Sequence, residues 1–317
     1  MRYSGVTALA LASGVAAHTR MYGAWINGVD QGDGRSVYIR TPPNNNPVKD
    51  LKSADLACNV AGSTAVKEFL PIAAGDEVEF EWFHDNRNDD IIAASHKGPI
   101  ITYIAPYTDG MDGTGSIWTK IDEEGYDSAS SSWAVDKLIT NGGKKAFTVP
   151  SALAAGKYMI RQEIIGLHEG DTAYSANSAR GAQFYPSCVQ VEITGSGSAT
   201  PSENFALPGG YTDSDPGVVF NLYGSFTSYT IPGPKVWDAA SAGSGSGSAP
   251  TSAAATASAT KVASSSAAAT PTTLATSVKP TTTGAASAST TAAAATSAPA
   301  SPTKKPCLKK KRRSVRN

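Results

Sequence analysis

The chain contains few histidines, and one of them stands where a secreted protein would begin. Of 317 residues only four are histidine, and His18 directly follows "GVAA", which is typical of a signal-peptidase site. Cleavage after Ala17 would make His18 the first residue, so that its free amine and its ring Nδ1 could bind one metal ion together. A second imidazole would complete three nitrogen ligands in a plane, which suits Cu(II), whereas zinc prefers a tetrahedral set. The pattern therefore indicates a copper site.

Three other histidines could supply the second imidazole. His84 follows the predicted strand "EFEWF" and is most simply a loop residue at its end. His96 lies in "SHKGPI", where Gly98 and Pro99 shape a loop, and His168 ends the predicted strand "YMIRQEIIGLH". Spacing alone does not choose between His96 and His168. An N-terminal histidine without such a partner could also bind copper adventitiously.

The first 17 residues have the pattern of a secretory signal peptide. Arg2 gives a positive start, "VTALALASGVAA" is apolar, and Val15 and Ala17 are small at the positions that the peptidase reads. The run is too short for a membrane span of about 20 residues, and no other stretch is apolar enough. We therefore expect a secreted, extracellular protein without a membrane span. A buried N-terminal helix is the alternative interpretation of this run.

Charge and composition divide the remaining chain. All 27 acidic side chains and 16 of the 27 basic ones lie in residues 18–240, whereas residues 241–317 carry ten basic and no acidic side chains. Beyond residue 240 the chain consists mostly of Ser, Thr, Ala, Gly and Pro. Because large apolar side chains are few there, the segment cannot bury enough surface to offset the chain entropy lost on folding. We expect a folded domain over 18–240, a disordered, O-glycosylated linker over 241–303 and a basic tail over 304–317. Because export is predicted, the tail is not read as a nuclear signal, and no nucleic-acid partner is expected.

The cysteine pattern suggests one disulfide. Cys58 and Cys188 lie in the predicted domain, and Cys307 lies in the tail. In an exported protein, two cysteines within one domain suggest a bridge, here one that closes a loop of more than 100 residues. Spacing alone does not prove the pairing, and Cys307 is left over.

The elements that must position these residues read as strands and loops. "DEVEFEWF" alternates three apolar residues with three glutamates, which is the pattern of a strand with one buried and one wet face. "AGKYMIRQEIIGL" and "CVQVEITGSG" combine glycine turns with β-branched and aromatic residues, and "FNLYG" and "SYTIPGP" are predicted late strands or extended edges. The best helical candidate is "DSASSSWAVDKLI". We expect an all-β fold, an antiparallel β-sandwich with long loops.

Several ordered motifs of the predicted domain occur together in one known family. They are "WINGVDQGDG", "YIRTPPNNNPV", "LACN", "AAGDEV", "SHKGPI", "IWTKI", "GKYMIRQEIIGLH", "GAQFYPSCVQVEITG", "DPGVVFNLYG" and "YTIPGP". With these motifs the chain, from His18 to about Trp237, resembles the fungal lytic polysaccharide monooxygenases of auxiliary activity family 9, formerly glycoside hydrolase family 61. The resemblance implies an immunoglobulin-like β-sandwich that binds one copper ion on a flat face.

The resemblance also assigns roles to particular residues. It implies that His18, His96 and Tyr185 bind copper and that His168 and Gln183 act beside it. It pairs Cys58 with Cys188, and it places a sugar-binding surface tyrosine in the loop "PGGYTDSDPG", which contains Tyr211. Gln183 and Tyr185 are two residues apart, so on an extended segment both point to the same face.

The activity implied by the resemblance is oxidative cleavage of β-1,4-glucan such as cellulose, at C1, C4 or both. It requires a small-molecule or protein electron donor and O₂ or H₂O₂, and the acidic residues are then a solvated surface rather than a hydrolase pair. We expect the protein to act as a monomer. The alternatives are a non-catalytic copper- or carbohydrate-binding β-sandwich of the fungal cell surface, a hydrolase, and an adhesive wall protein held by the basic tail.

Overall fold

The computed structural model describes residues 18–202 and 204–243. The strands of this part are β1 (Arg20–Ile26), β2 (Val29–Asp33), β3 (Ile39–Arg40), β4 (Leu70–Ala73), β5 (Glu77–Phe83), β6 (Ile100–Pro106), β7 (Gly115–Glu124), β8 (Tyr126–Asp127), β9 (Ser132–Trp133), β10 (Lys144–Thr148), β11 (Gly156–Gly166), β12 (Gln183–Thr194) and β13 (Phe205–Leu207). The helices are α1 (Asp55–Cys58), α2 (Ala134–Thr140) and α3 (Ala239–Gly243). The predicted signal peptide, the linker beyond residue 243 and the basic tail lie outside the described residues.

Two sheets form the body of the domain. One has the strand order β10-β5-β1-β2, and the other has the order β13-β7-β6-β11-β12-β3, with β4 added beside β12. The pairs are antiparallel except for β4 with β12. One apolar cluster joins Val78, Phe80 and Trp82 of the first sheet to Ile104 and Ile160 of the second. The expected all-β sandwich is therefore confirmed.

Strand β5 shows the predicted alternation with one exception. Val78, Phe80 and Trp82 are buried, as a strand with one apolar face requires. Glu81 was expected on the wet face, yet only 4% of it is exposed. It is covered by Arg87, whose guanidinium lies 2.6 Å from its carboxylate, so that the buried charge is paired. The wet face of this strand is thus partly closed by an ion pair.

Strand register brings several segment ends to one end of the sandwich. β1 begins at Arg20 opposite Phe83, the last residue of β5. β11 ends at Gly166 opposite Gln183, the first residue of β12, and β6 begins beside the end of β11. Because neighbouring antiparallel strands run in opposite directions, the start of one strand lies next to the end of another. The segments around residues 18, 96 and 168 are therefore neighbours although they are far apart in sequence.

The predicted disulfide between Cys58 and Cys188 is present, with a Cα–Cα distance of 5.2 Å. It closes a loop of 130 residues, for which the loss of unfolded-chain entropy is worth about 4–5 kcal/mol. Arg161 supports it from β11 by donating hydrogen bonds to the carbonyl oxygens of Leu56 and Ala57 at 2.8 and 2.7 Å. These bonds satisfy carbonyl groups at the end of the short helix α1.

The helices are short, as the sequence predicted. α2 (Ala134–Thr140) overlaps the end of the segment with the best helical signal and extends one residue beyond it, and Asp136 Oδ2 accepts a hydrogen bond from the backbone nitrogen of Trp133 at its start. No helix among the described residues is long and apolar enough to cross a membrane.

The prediction of two late strands is wrong. Residues 220–224 and 228–234 form turns and irregular structure instead. Phe220 and Tyr229 of these segments are partly buried against a second apolar cluster beneath the loop, whereas Tyr223 is exposed. The apolar signal thus comes from packing under a loop rather than from sheet pairing, and Pro232 has no N–H to donate to a neighbouring strand.

Candidate metal centre

Four aromatic side chains named by the sequence analysis lie together at the end of the sandwich. The ring centroid of His18 lies 5.8 Å from that of His96 and 5.9 Å from that of Tyr185. His96 and Tyr185 are 6.1 Å apart, and His168 lies 3.9 Å from His96. The two imidazoles and the phenol therefore surround a common space, and the third imidazole packs against one of them.

The His96 loop is held to the end of β11 by main-chain contacts. The backbone nitrogens of Ile165 and Leu167 donate to the carbonyl oxygens of Pro99 and Lys97 at 3.1 and 2.9 Å. Between these two bonds, Gly98 lies so close to β11 that an added Cβ would overlap the carbonyl oxygen of Ile165. A glycine is therefore required there by the close approach of two backbones.

The ring of His96 has one nitrogen available for a metal ion. Only 3% of the residue is exposed, and Nε2 is buried without a hydrogen-bond partner. The other nitrogen, Nδ1, lies 3.3 Å from the hydroxyl oxygen of Ser95. A buried polar nitrogen without a partner is costly unless something binds it, so Nε2 of His96 fits the role of a metal ligand beside His18 and Tyr185.

The electrostatics of the site keep its imidazoles neutral. Burial, together with the neighbouring His168 and His18, lowers the pKa of His96 to about 4. Burial also lowers the pKa of His168 against the opposing effect of Glu169, and it lowers the pKa of His18. Since only the neutral ring has a lone pair to offer, these shifts prepare the histidines to bind a metal ion in acidic surroundings.

A chain of hydrogen bonds leads from Tyr185 to the edge of the site. The Tyr185 hydroxyl donates to Oε1 of Gln183 at 2.6 Å, and Nε2 of Gln183 donates to Glu169 Oε2 at 2.9 Å. Lys49 Nζ donates to the same carboxylate oxygen at 3.1 Å. Burial and the charge of Glu169 raise the pKa of Tyr185, so its hydroxyl keeps its proton. These two hydrogen bonds, one to the amide oxygen and one from the amide nitrogen, fix the orientation of the Gln183 side chain.

The sequence analysis missed Glu169 and Lys49, which complete this chain. Glu169 directly follows His168, so its proximity to the site could have been inferred from the sequence. Lys49 lies 120 positions away along the chain, and nothing in its sequence context indicates that it faces Glu169. Only the folded loops bring the two charges together.

The prediction that Tyr211 is a surface tyrosine is wrong. Only 2% of the residue is exposed, and its hydroxyl donates to the buried carboxylate of Glu163 at 2.5 Å. The hydroxyl of Tyr103 lies 2.6 Å from that of Tyr211. A buried carboxylate needs donors, and Tyr211 serves that need inside the domain. The ring is not accessible to a sugar.

His84 is near the cluster but does not face its centre. Its Nδ1 lies 3.0 Å from the main-chain carbonyl oxygen of His18. Because that contact occupies Nδ1, His84 is bonded to the backbone of the first histidine rather than aligned with the space between the rings. The ring of His96 has its centroid 5.8 Å from that of His18 and borders the same space, a proximity that spacing alone did not predict.

One family of known proteins is similar to nearly all of the described domain. The sequence profile of Auxiliary Activity family 9 (formerly GH61) matches residues 18–230. The chain belongs to this family. An AA9 family lytic polysaccharide monooxygenase A from Collariella virescens is 56% identical over 242 residues, which are 76% of this chain and 88% of that protein. A protein of the same designation from Schizophyllum commune is 51% identical over 236 residues, which are 72% of this chain and 93% of that protein.

Solved structures agree with the assignment to AA9. The structure of CvAA9A matches with a TM-score of 0.69 at 58% identity and covers 70% of this chain and 99% of that one. Cel61B from Hypocrea jecorina, a glycoside hydrolase family 61 member, matches with a TM-score of 0.60 at 26% identity, over 69% and 100% of the two chains. The immunoglobulin-like sandwich implied by the resemblance is therefore confirmed.

Membership in AA9 gives the chemistry of the domain. The proteins of this family are copper-dependent lytic polysaccharide monooxygenases secreted by fungi, so this AA9 chain is a copper-dependent oxidoreductase that acts on polysaccharide. Its own residues fit that metal, because imidazole nitrogens are preferred copper ligands and His96 Nε2 is buried without another partner.

The lowered pKa of His96 predicts a pH-dependent stability of the metal-free AA9 domain. The folded protein accepts a proton on His96 only near pH 4, whereas the unfolded chain accepts it near pH 6.5. Between these values the unfolded state binds more protons, so stability falls as the pH falls, by at most about 3 kcal/mol at pH 4. Urea unfolding of chelator-treated protein between pH 7 and pH 4 measures this loss.

The variant His96→Gln is the control for this pH dependence, because glutamine has a similar size and does not titrate. Its stability should fall less steeply between pH 6.5 and pH 4 than that of the natural protein, while carboxyl groups contribute equally to both. Equal slopes for the two proteins would contradict the assignment to His96.

Proposed function

We propose that this AA9 protein is secreted and cleaves β-1,4-glucan, with cellulose as the substrate, by oxidation at C1, C4 or both. It would act as a monomer with a small-molecule or protein electron donor and O₂ or H₂O₂. One copper ion would be held by the amine and Nδ1 of His18, by Nε2 of His96 and by the hydroxyl of Tyr185. The observation that carries this ligand set is the buried, unpartnered Nε2 of His96 beside the rings of His18 and Tyr185.

Copper, when bound, supplies one-electron redox chemistry with the oxygen cosubstrate, which allows a strong C–H bond of the sugar to be oxidised. The chain's own contribution is a rigid set of ligands and donors around that metal. Tyr185 is fully buried and retains its proton, so it would contribute a neutral phenol oxygen rather than a phenolate. Its hydroxyl proton is held by Gln183 Oε1 at 2.6 Å.

His168 and Gln183 are the proposed catalytic residues beside the metal. The Nδ1 atom of His168 is buried without a hydrogen-bond partner. It can therefore carry a proton beside the metal site or accept one from an oxygen cosubstrate. Gln183 keeps a defined orientation because Tyr185 and Glu169 bind its two ends. Fixed donors beside the reacting atoms lower the cost of reorganisation during reaction.

We assign the sugar-binding role to Tyr223 in place of Tyr211. Tyr223 is 73% exposed, which is unusual for so large an aromatic ring. It borders a cavity of about 330 Å³ that is also lined by Ser95 and Lys97, the two neighbours of His96 in sequence. An exposed ring beside the metal loop is a suitable platform for one face of a glucose unit.

Substitution of these two tyrosines is expected to separate binding from folding. Tyr223→Ala should weaken binding to swollen cellulose about tenfold without a change in melting temperature, because the exposed ring has few internal contacts. Tyr211→Phe should leave binding unchanged and lower the free energy of unfolding by about 1–3 kcal/mol, since Glu163 loses a buried donor. Binding isotherms and urea unfolding of both copper-loaded variants measure these effects. The opposite assignment of the two effects would show that Tyr211 is the platform.

The proposed activity is tested by product analysis. Copper-loaded protein is incubated with phosphoric-acid-swollen cellulose, with and without ascorbate, and soluble products are identified by mass spectrometry. We expect oligosaccharides with aldonic acid ends, C4-ketone ends or both, released only with the reductant. Plain reducing ends independent of ascorbate would indicate a hydrolase. An absence of soluble products on cellulose, together with copper binding, would reject the proposed substrate.

A further inference from the structure

We propose that His84 is a positioning residue that fixes the main chain of His18, so that the amine and the ring of that residue can bind copper together. This inference rests on the proposed ligand set. It adds to that set a side chain that acts through His18 and was expected from the sequence to be a simple loop histidine.

The contact between the two residues identifies a donor on His84. Its Nδ1 lies 3.0 Å from the carbonyl oxygen of His18, and a carbonyl oxygen can only accept a hydrogen bond. The contact is a hydrogen bond when Nδ1 of His84 carries a proton, and we assign that tautomer.

Two hydrogen bonds hold the main chain of His84 in place. Its backbone nitrogen donates to the carbonyl oxygen of Asp90 at 2.7 Å. The side-chain amide of Asn45 donates to the carbonyl oxygen of His84 at 3.0 Å. That amide nitrogen also lies 3.0 Å from Nδ1 and 3.3 Å from Nε2 of the ring. With the proton on Nδ1, the acceptors near the amide are the carbonyl oxygen and Nε2. The main chain of His84 is thus held by contacts that do not involve His18.

The position of His18 explains why such an anchor is needed. In the mature protein it would be a chain terminus, and termini are poorly ordered unless they are tied down. Sheet pairing begins two residues later, where Arg20 lies opposite Phe83, and the Thr19 hydroxyl donates to the carbonyl oxygen of Phe83 at 3.2 Å. The bond from His84 extends this attachment to residue 18 itself.

A fixed main chain matters because His18 must offer two ligand atoms in one orientation toward His96. If the carbonyl oxygen of His18 were released, the amine and the ring would have to be ordered when copper binds, and affinity would fall. Partners that orient metal ligands typically change metal affinity by about 10–100-fold when they are removed. We expect the lower end of this range for His84, because strand pairing at Arg20 still restrains the segment.

The test uses the mature full-length protein and Cu(II) alone as the probe. Affinity is measured by competition titration against a chelator, and the copper environment is measured by electron paramagnetic resonance. His84→Ala should bind Cu(II) about tenfold more weakly, with an altered parallel hyperfine coupling and an unchanged melting temperature of the metal-free protein. His84→Asn should restore both values, since the asparagine amide nitrogen can take the place of Nδ1.

The variant Asp85→Asn is the matched control. Asp85 Oδ2 lies 3.9 Å from Nε2 of His84, and Asp85 Oδ1 lies 3.0 Å from the guanidinium of Arg20. The change therefore removes the charge beside both side chains and leaves the atoms of the Nδ1 contact in place. Affinity close to that of the natural protein is expected. Natural affinity and spectrum in His84→Ala, or a loss reproduced by Asp85→Asn and not restored by His84→Asn, would overturn the positioning role. Failure of the natural protein to bind one Cu(II) would instead overturn the proposed ligand set.

Discussion

Protein that carries additional residues before His18 is expected to lose tight copper binding and oxidative activity. An extension converts the free amine into a peptide nitrogen, which is a poor ligand at neutral pH, and it removes the pairing of amine and Nδ1 within one residue. Two linked donors commonly bind on the order of 10²–10⁴-fold more tightly than one, so a loss of that size is expected. Isothermal titration with Cu(II) and product analysis on swollen cellulose measure the two losses.

A cleavable extension provides the control for this experiment. Four residues that form a factor Xa site are placed before His18, and the same preparation is measured before and after proteolysis, which restores His18 as the terminus. The strands of the domain begin at Arg20, so the melting temperature of the metal-free protein should be nearly the same in both forms. Full activity of the uncleaved form would contradict the role of the His18 amine.

Gly98→Ala is expected to displace the His96 loop and to weaken copper binding by about 10–100-fold. The methyl group would overlap the carbonyl oxygen of Ile165, and backbone atoms cannot move aside as the end of a long side chain can. The hydrogen bonds from Ile165 and Leu167 to the loop would lengthen or break. We also expect a loss of about 3 kcal/mol in the free energy of unfolding, as overpacking in a tight site produces. Copper titration and urea unfolding measure the two effects.

Gly224→Ala is the matched control for this substitution. The nearest atom to its added methyl group would be the end of the Asn221 side chain at 3.2 Å, which can move. Copper affinity and stability of this variant should therefore remain close to those of the natural protein. If Gly98→Ala behaved in the same way, the His96 loop would not need the close approach to β11 seen in the structure.

The candidate site could be predicted from the sequence only where local pattern and family motif agreed. His18 follows a cleavage pattern, and His96 lies in a glycine–proline loop whose need for glycine is now explained by contact with Ile165. Gln183 and Tyr185 were expected on one face of a strand, and their hydrogen bond in β12 agrees with that expectation. Local rules of strand geometry are sufficient for such short-range relations.

Residues whose roles depend on long-range contacts were missed or misplaced. Tyr211 and Tyr223 lie in similar Gly-containing loop sequences, yet the first is buried on Glu163 and the second is exposed. Lys49 meets Glu169 across loops that are far apart along the chain. His84 was expected to be an ordinary loop residue, and its contact with the carbonyl oxygen of His18 depends on the pairing of β1 with β5.

The sequence by itself determined the all-β class, the alternating core positions of β5 and the motifs that identify the family, because these depend on periodicity and on short ordered segments. Tertiary structure alone decided which histidine stands beside His18, which tyrosine faces solvent and which charges hold Gln183 in place. Those outcomes depend on how five strand ends converge and on which side chains remain without partners after packing. Neither property is encoded in the local spacing of residues along the chain.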